Sequence, residues 1–312
     1  MKLFVLGSVA FDEVARFDGR FSDVIKPELL EKLSVSFFVE NKQHFFGGCA
    51  GNISYGLGYL KTPATILGVI GNDAANYEAR LKGLNISTEY LQKTEDRTAV
   101  ASIMSDQMEC QIAFFSPGAM ANKTVTFTLP GITKEGDILL VGPETKDRML
   151  AAIDQAYEKK LRIFFDPGQV IHIFNAEELQ SILSKVELVF VNEYELELLK
   201  SISGWDEETL LEKIPVFVVT RGEKGAGLFI KGEATRIEAY KPVKLGEPTG
   251  AGDAFRAGFL AALHQNLDWV SAAKVASLMG SACAAHGQTQ DYVLSSEQES
   301  ILESLGFSWS KH

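Results

Sequence analysis

The sequence predicts an α/β fold with a mostly parallel central sheet flanked by helices on both faces. Two observations point there. Short runs rich in Val, Ile, Leu and Phe alternate with helical patterns through most of the chain. Those runs are continuously apolar, which is what strands covered on both faces require. Strands are expected at 3–6, 65–69, 138–141, 162–165, 188–191, 216–220 and 227–230. Helices are expected at 50–59, 75–82, 146–159, 176–184, 193–200, 206–213, 252–264, 269–286 and 296–305. A further strand should precede the glycine-rich run around Gly250.

Two segments break this rhythm. Residues 34–41 (SVSFFVEN) and 100–115 (VASIMSDQMECQIAFF) read as strands, the second as a hairpin centred near 106–109. The pattern alone leaves them as a sheet extension, an oligomer edge or a lid over a cleft. The 312 residues carry no repeat and no low-complexity tract, so one domain over 1–312 is expected.

Composition removes several classes of function. Lys and Arg number 30 against 41 Asp and Glu, a net charge of −11. Sequence-independent nucleic-acid binding depends on neutralising phosphates, so an acidic chain argues against such a partner. The opening MKLFVLGSVAFDEVARFDG is broken too early by polar residues for a signal peptide. No apolar run approaches the ~20 residues needed to span a bilayer, so no membrane partner is expected. Cys49, Cys110 and Cys283 are far apart and odd in number, which suits buried free thiols in a reducing cytoplasm.

Four motifs carry chemistry. In EPTGAGDAFRAGF, Gly250, Ala251 and Gly252 would expose backbone N–H groups at a helix start, where the dipole favours a phosphoryl group. Asp253 then stands where it could take a proton from an attacking hydroxyl, or serve as an ordinary N-cap. At its usual pKa near ~3.9 it would be a weak base that accepts the proton late. In GGCAGNISYGLGY, paired glycines allow close approach of a ligand, and Asn52 offers both donor and acceptor. The alternative is a tightly packed helix capped by Asn52. In VNEYE, Asn192 and Glu195 lie three residues apart after a strand, suited to a hydrated Mg²⁺ or to a plain helix start. VTRGEKGAGLF reads as a hairpin, or as a loop covering a nucleotide with Arg221 or Lys224 near its phosphates. No GxxxxGK[ST] occurs, and the frame from Gly250 lacks the third glycine of a dinucleotide fingerprint.

In this order and spacing the four motifs resemble the ribokinase-like (PfkB) family of sugar and nucleoside kinases. GSVAFDEVARFDGRFSD, LSVSFFVENKQHFFGGCAGN, QIAFFSPGAM and GDAFRAGF look most like its bacterial adenosine kinases. The resemblance implies a ribokinase-like fold whose small β-sheet lid comes from segments 12–45 and 97–117. It implies Asp253 as catalytic base and Gly250, Ala251 and Gly252 as the anion hole. Ser8, Asp12, Gly47, Gly48, Asn52 and Phe114 would bind the acceptor. Asn192, Thr220, Arg221, Gly222 and Gly225 would bind ATP, with Glu195 reaching Mg²⁺ through water. Glu247 stands where the family expects Asp at the head of the motif. Phe37, Phe38, Phe114 and Phe115 would stack on a purine or fill the lid's own core. The reaction implied is phosphorylation of a primary hydroxyl, adenosine to AMP. The alternatives are a free sugar such as ribose or fructose as acceptor, and a non-catalytic sensor on the same fold. The resemblance also allows a homodimer formed through the lid.

Overall fold

The computed structural model describes residues 1–108, 110–240, 249–286 and 288–308. In chain order its first strands are β1 (Leu3–Leu6), β2 (Ala10–Arg16), β3 (Lys42–Gly47), β4 (Ala64–Ile70), β5 (Ile86–Ser87), β6 (Leu91–Lys93), β7 (Ala99–Ser105) and β8 (Gln111–Ser116). Then come β9 (Ile138–Val141), β10 (Arg162–Phe165), β11 (Leu188–Asn192), β12 (Val216–Thr220), β13 (Ala226–Ile230) and β14 (Glu233–Ile237). The helices are α1 (Phe21–Val24), α2 (Cys49–Tyr59), α3 (Ala75–Gly83), α4 (Lys146–Glu158) and α5 (Ala176–Leu183). They continue with α6 (Glu193–Ser203), α7 (Glu207–Lys213), α8 (Ala251–His264), α9 (Trp269–His286) and α10 (Ser296–Ser304).

The large sheet runs β14-β13-β12-β11-β10-β9-β1-β4-β5, with β6 alongside β4. From β12 to β5 the pairings are parallel; β13 and β14 add an antiparallel edge. Alternate side chains of β1 enter opposite cores. Leu3 and Val5 pack with residues of α2, α8 and α9, whereas Phe4 and Leu6 pack with α4, α5 and α6. That two-sided burial is why these strands read as unbroken apolar runs. Strand β1 pairs with β4 on one side and β9 on the other, so the winding reverses beside it. Open α/β sheets bind ligands at the carboxyl ends of the strands flanking such a reversal.

A second sheet has the order β3-β2-β7-β8. The hairpin expected over 100–115 is β7 and β8, and the turn residue Glu109 lies outside the described residues. The strand expected at 34–41 is absent; pairing begins only at Lys42. The aromatic residues of that run do other work. Phe37 packs edge-on against Phe17 and Phe21 at ring distances of 5.1 and 5.3 Å, and Phe38 points to solvent at 83 % exposure. The apolar character that looked like a strand belongs to a small aromatic core in the lid. Of the three cysteines, Cys283 is buried and Cys49 partly so, but Cys110 is exposed beside the hairpin turn. The strand expected before Gly250, and Glu247 with it, falls at 241–248, outside the described residues. Among the described residues, no helix is long and apolar enough to cross a membrane.

Candidate active site

The site grows from two helices that begin on glycine. Gly48 precedes α2 with φ +80°, and Gly250 precedes α8 with φ +79°; neither can offer a side-chain cap. A Cβ at Gly250 would also lie 2.6 Å from a methyl of Thr289. Both the left-handed backbone and the lack of room demand glycine there. Among the described residues no side chain caps α8, and the helix dipole at such a start favours negative charge. Ala251 and Gly252 form that first turn, and Gly252 is exposed.

The start of α2 is closed instead. The Ser8 carbonyl accepts from the N–H groups of Ala50 and Gly51, and its hydroxyl accepts from Cys49 N at 3.0 Å. Ser8, expected at the acceptor, caps this helix through its carbonyl and a lone pair of its hydroxyl, whose proton is left to donate.

Helices α2 and α8 touch through small residues. A Cβ on Gly56 would come within 2.5 Å of the Ala257 Cβ. One turn earlier on each helix stand Asn52 and Asp253, and Asn52 Nδ2 donates to Asp253 Oδ2 at 2.8 Å. The close helix contact therefore sets the spacing of the two polar groups. Neither side chain caps its own helix, so the plain capping roles open to them in the sequence are not the ones adopted. Asn52 Oδ1 accepts from Gln290 Nε2 at 3.0 Å.

Strand β2 brings a second carboxylate. Asp12 lies over Gly47 of β3, where an added Cβ would sit 2.3 Å from Asp12 Oδ2. Burial raises the Asp12 pKa to about 6. Burial also pushes Asp253 up to about 7, with the negative charges of Asp166 and Asp12 adding to the effect. The Asn52 hydrogen bond and Arg256 pull the other way. Asp253 is thus a stronger base than its ordinary pKa suggests.

Beneath these groups Asp166, just past β10, holds Arg256 of α8 in a two-point pair at 2.8 and 3.1 Å. Glu195 lies within reach of both charges; burial and Asp166 raise its pKa, opposed by the Asn192 hydrogen bond and Arg256. Asn192 and Glu195 form a reciprocal capping box at the start of α6, each bond 2.8 Å long. That box orients a buried carboxylate at the carboxyl end of β11, so the capping and functional readings of this motif are compatible.

The hairpin of β12 and β13 turns at the same edge of the sheet. Thr220 ends β12, and its hydroxyl donates to Val191 O at 3.3 Å. Arg221 reaches Glu193 at 3.5 Å, and Gly222 and Gly225 shape the short turn between the strands with φ of +55° and +86°.

Strand register sorts the lid residues by face. Asp12 is opposite Phe45 and Ala101, and Ala101 is opposite Phe115, so these four share one face. Glu13, His44, Ser102 and Phe114 share the other. Phe114, expected at the acceptor, is not brought to the face of Asp12; its neighbour Phe115 is. Asp166, Tyr77 and Gln290 were not singled out from the sequence. Asp166 had a readable signal, an acid directly after the apolar run RIFF. Tyr77 and Gln290 had none.

The profile of the pfkB family carbohydrate kinase matches residues 14–296. The chain belongs to the PfkB family. It is an ATP-dependent kinase with the ribokinase-like fold, and its second sheet is the lid of that fold. The nucleoside kinase of Methanocaldococcus jannaschii is 30 % identical over 248 residues, covering 78 % of this chain and 81 % of that one. A Burkholderia thailandensis nucleoside kinase in complex with inosine is 32 % identical, with a TM-score of 0.83 over 99 % of this PfkB kinase and 100 % of the other. The Methanocaldococcus jannaschii nucleoside kinase structure has a TM-score of 0.86 at 26 % identity, covering 98 % of each chain. A Vibrio alginolyticus fructokinase is 25 % identical over 284 residues, 83 % of this chain and 91 % of that one.

Proposed function

We propose that this kinase phosphorylates the primary hydroxyl of a nucleoside, adenosine foremost, with Asp253 as the base. The observation that carries the reading is the 2.8 Å contact between Asn52 and Asp253 beside the uncapped start of α8. It supports reading Asp253 as a base, Asn52 as its positioning group and the helix start as an anion site, the three parts that phosphoryl transfer to a hydroxyl needs. A nucleoside is favoured over a free sugar by the lid face of Asp12, where Phe45 and Phe115 offer apolar surface to a base. The nucleoside kinases among its relatives support the same acceptor.

In this mechanism Asp12 and Asn52 hold the ribose hydroxyls and the lid excludes water. ATP lies along the carboxyl edge of the sheet, by Asn192, Thr220, Arg221, Gly222 and Gly225. Asp253 takes the proton of the primary hydroxyl as that oxygen attacks the γ-phosphorus. The N–H groups behind Gly250, Ala251 and Gly252 stabilise the charge spreading over the transferred phosphoryl oxygens. Mg²⁺ suits the buried Glu195 carboxylate, through water, and when bound would neutralise phosphate charge. Gly48 serves the site through the backbone turn that starts α2. A homodimer through the lid is supported by β8, an edge strand exposed along its whole length that carries Ile112, Phe114 and Phe115. We place the enzyme in the cytoplasm.

The test is ADP release with Mg-ATP against adenosine, inosine, other nucleosides, ribose and fructose. Stimulation by adenosine above all is expected. Stimulation by a free sugar alone would refute the nucleoside pocket while leaving Asp253 as base.

A further inference from the structure

A chain of hydrogen bonds runs from the lid to the catalytic carboxylate, and its direction is fixed at one end. Tyr77 Oη of α3 donates to the carbonyl of Gly47, the last residue of lid strand β3, at 2.6 Å. A backbone carbonyl can only accept, so the tyrosine proton is committed there. The tyrosine oxygen must then accept, and Gln290 Nε2 donates to it at 2.5 Å. The same amide nitrogen donates to Asn52 Oδ1 at 3.0 Å, which turns Asn52 Nδ2 toward Asp253 Oδ2. Every polarity follows from the one before it.

Gln290 is held in place independently of this chain. Arg80, stacked between Phe46 and Tyr55, donates to the Gln290 carbonyl. The hydroxyl of neighbouring Thr289 donates to Phe46 O at 3.0 Å. The Gln290 side-chain oxygen is buried without a partner. Leaving a buried acceptor unpaired is costly, so this orientation is maintained by what the nitrogen does.

We propose that Gln290 is a positioning residue: it fixes the amide of Asn52 with its NH₂ toward Asp253, and through Tyr77 ties that orientation to lid strand β3. The proposal rests on the reading of Asp253 as the base. With Gln290 in place Asn52 donates to the carboxylate and favours its charged, proton-accepting form. Without it the Asn52 amide is free to rotate and present its oxygen, which favours the protonated acid. Other titratable groups also face Asp253 and stay unchanged in the comparison: Asp12 on β2, Cys49 on α2, Asp166 past β10, Arg256 on α8, Cys283 on α9 and Tyr292. Tyr77 on α3 faces it too, and its hydroxyl is deliberately removed below.

The experiment measures kcat/KM for the acceptor against pH at saturating Mg-ATP for the wild type, Gln290→Met, Tyr77→Phe and Asp253→Asn. Tyr77→Phe keeps the aromatic contacts with Phe11 and Phe46 and guards against a fold failure in Gln290→Met. The midpoint of the acidic limb is expected to rise by about one unit in both positioning variants. A lower rate or lower Tm with an unmoved midpoint in the folded variants would make Gln290 and Tyr77 merely structural and overturn the proposal. Full activity of Asp253→Asn would instead overturn the base itself, and the proposal with it.

Discussion

The carboxylate of Asp12 rests against Gly47, so closely that a single added methyl there would fall 2.3 Å from Asp12 Oδ2. Strand β3 has no room for a side chain at this point because strand β2 has already filled it. Gly47→Ala is therefore expected to displace Asp12 without removing it. Steady-state kinetics should show acceptor KM raised about tenfold or more, with KM for ATP little changed. Equal rises in both constants would place Asp12 away from the acceptor.

Asp253→Asn should lower kcat at least ~10²-fold while acceptor affinity, read by calorimetry, stays near wild type. In the wild type the acidic limb should have its midpoint near 7, because burial raises Asp253 to about that value and only the carboxylate can accept a proton.

The same raised pKa has an opposite signature in stability. Asp253 binds its proton more tightly folded than unfolded, so between the usual carboxylate range and about pH 7 the native state holds more protons. Stability contributed by this group falls as pH rises through that window and then levels off. Asp253→Asn lacks the penalty. Its Tm relative to wild type should be near equal at pH 4 and higher at pH 8; a constant offset would contradict the shift.

Gly56→Ala tests how the site is spaced. The new methyl would meet Ala257 at 2.5 Å and force α2 and α8 apart. Overpacking of this kind costs about 1–3 kcal/mol. The separation should also stretch the Asn52–Asp253 bond, so kcat falls in protein that remains folded. Unchanged kcat would show that the spacing is set elsewhere.

Asp166→Asn breaks a buried pair whose members are 5 % and 7 % exposed at their side chains. Stranding one buried charge costs about 3–5 kcal/mol, so denaturant unfolding should show a large loss of stability. A loss under about 1 kcal/mol would mean that Glu195 takes over as the partner of Arg256.

Much of this was legible in the sequence. The strands expected at 138–141, 162–165 and 216–220 are observed with those limits, because each is a short apolar run buried on both faces, with a polar residue such as Arg162 or Thr220 only at an end. Lid strand β3 was misplaced for the complementary reason. Its sequence KQHFFG has polar exposed positions, while the more apolar run before it makes an aromatic cluster. The starts of α2 and α8 were visible in their glycines, since a left-handed N-cap leaves a mark on residue type. Gln290 left no such mark. It meets Asn52 across 238 residues of chain, from a segment (QTQDY) without periodicity, and only the folded geometry gives it a task. Which of Phe114 and Phe115 shares the face of Asp12 was hidden for yet another reason. A one-residue difference changes the face of a strand, and apolar residues stand on both faces of β8.

In the proposed mechanism the carboxylates gathered near Asp253 would also govern what leaves the site. Asp12, Asp253, Asp166 and Glu195 converge there, and Arg256 is already engaged by Asp166. On the proposed reading, a nucleoside would enter such surroundings uncharged. Once phosphorylated it would carry close to two negative charges and meet repulsion from these carboxylates. Turnover would then supply its own eviction force, and the proposed nucleoside monophosphate would be turned away as an acceptor for a second round.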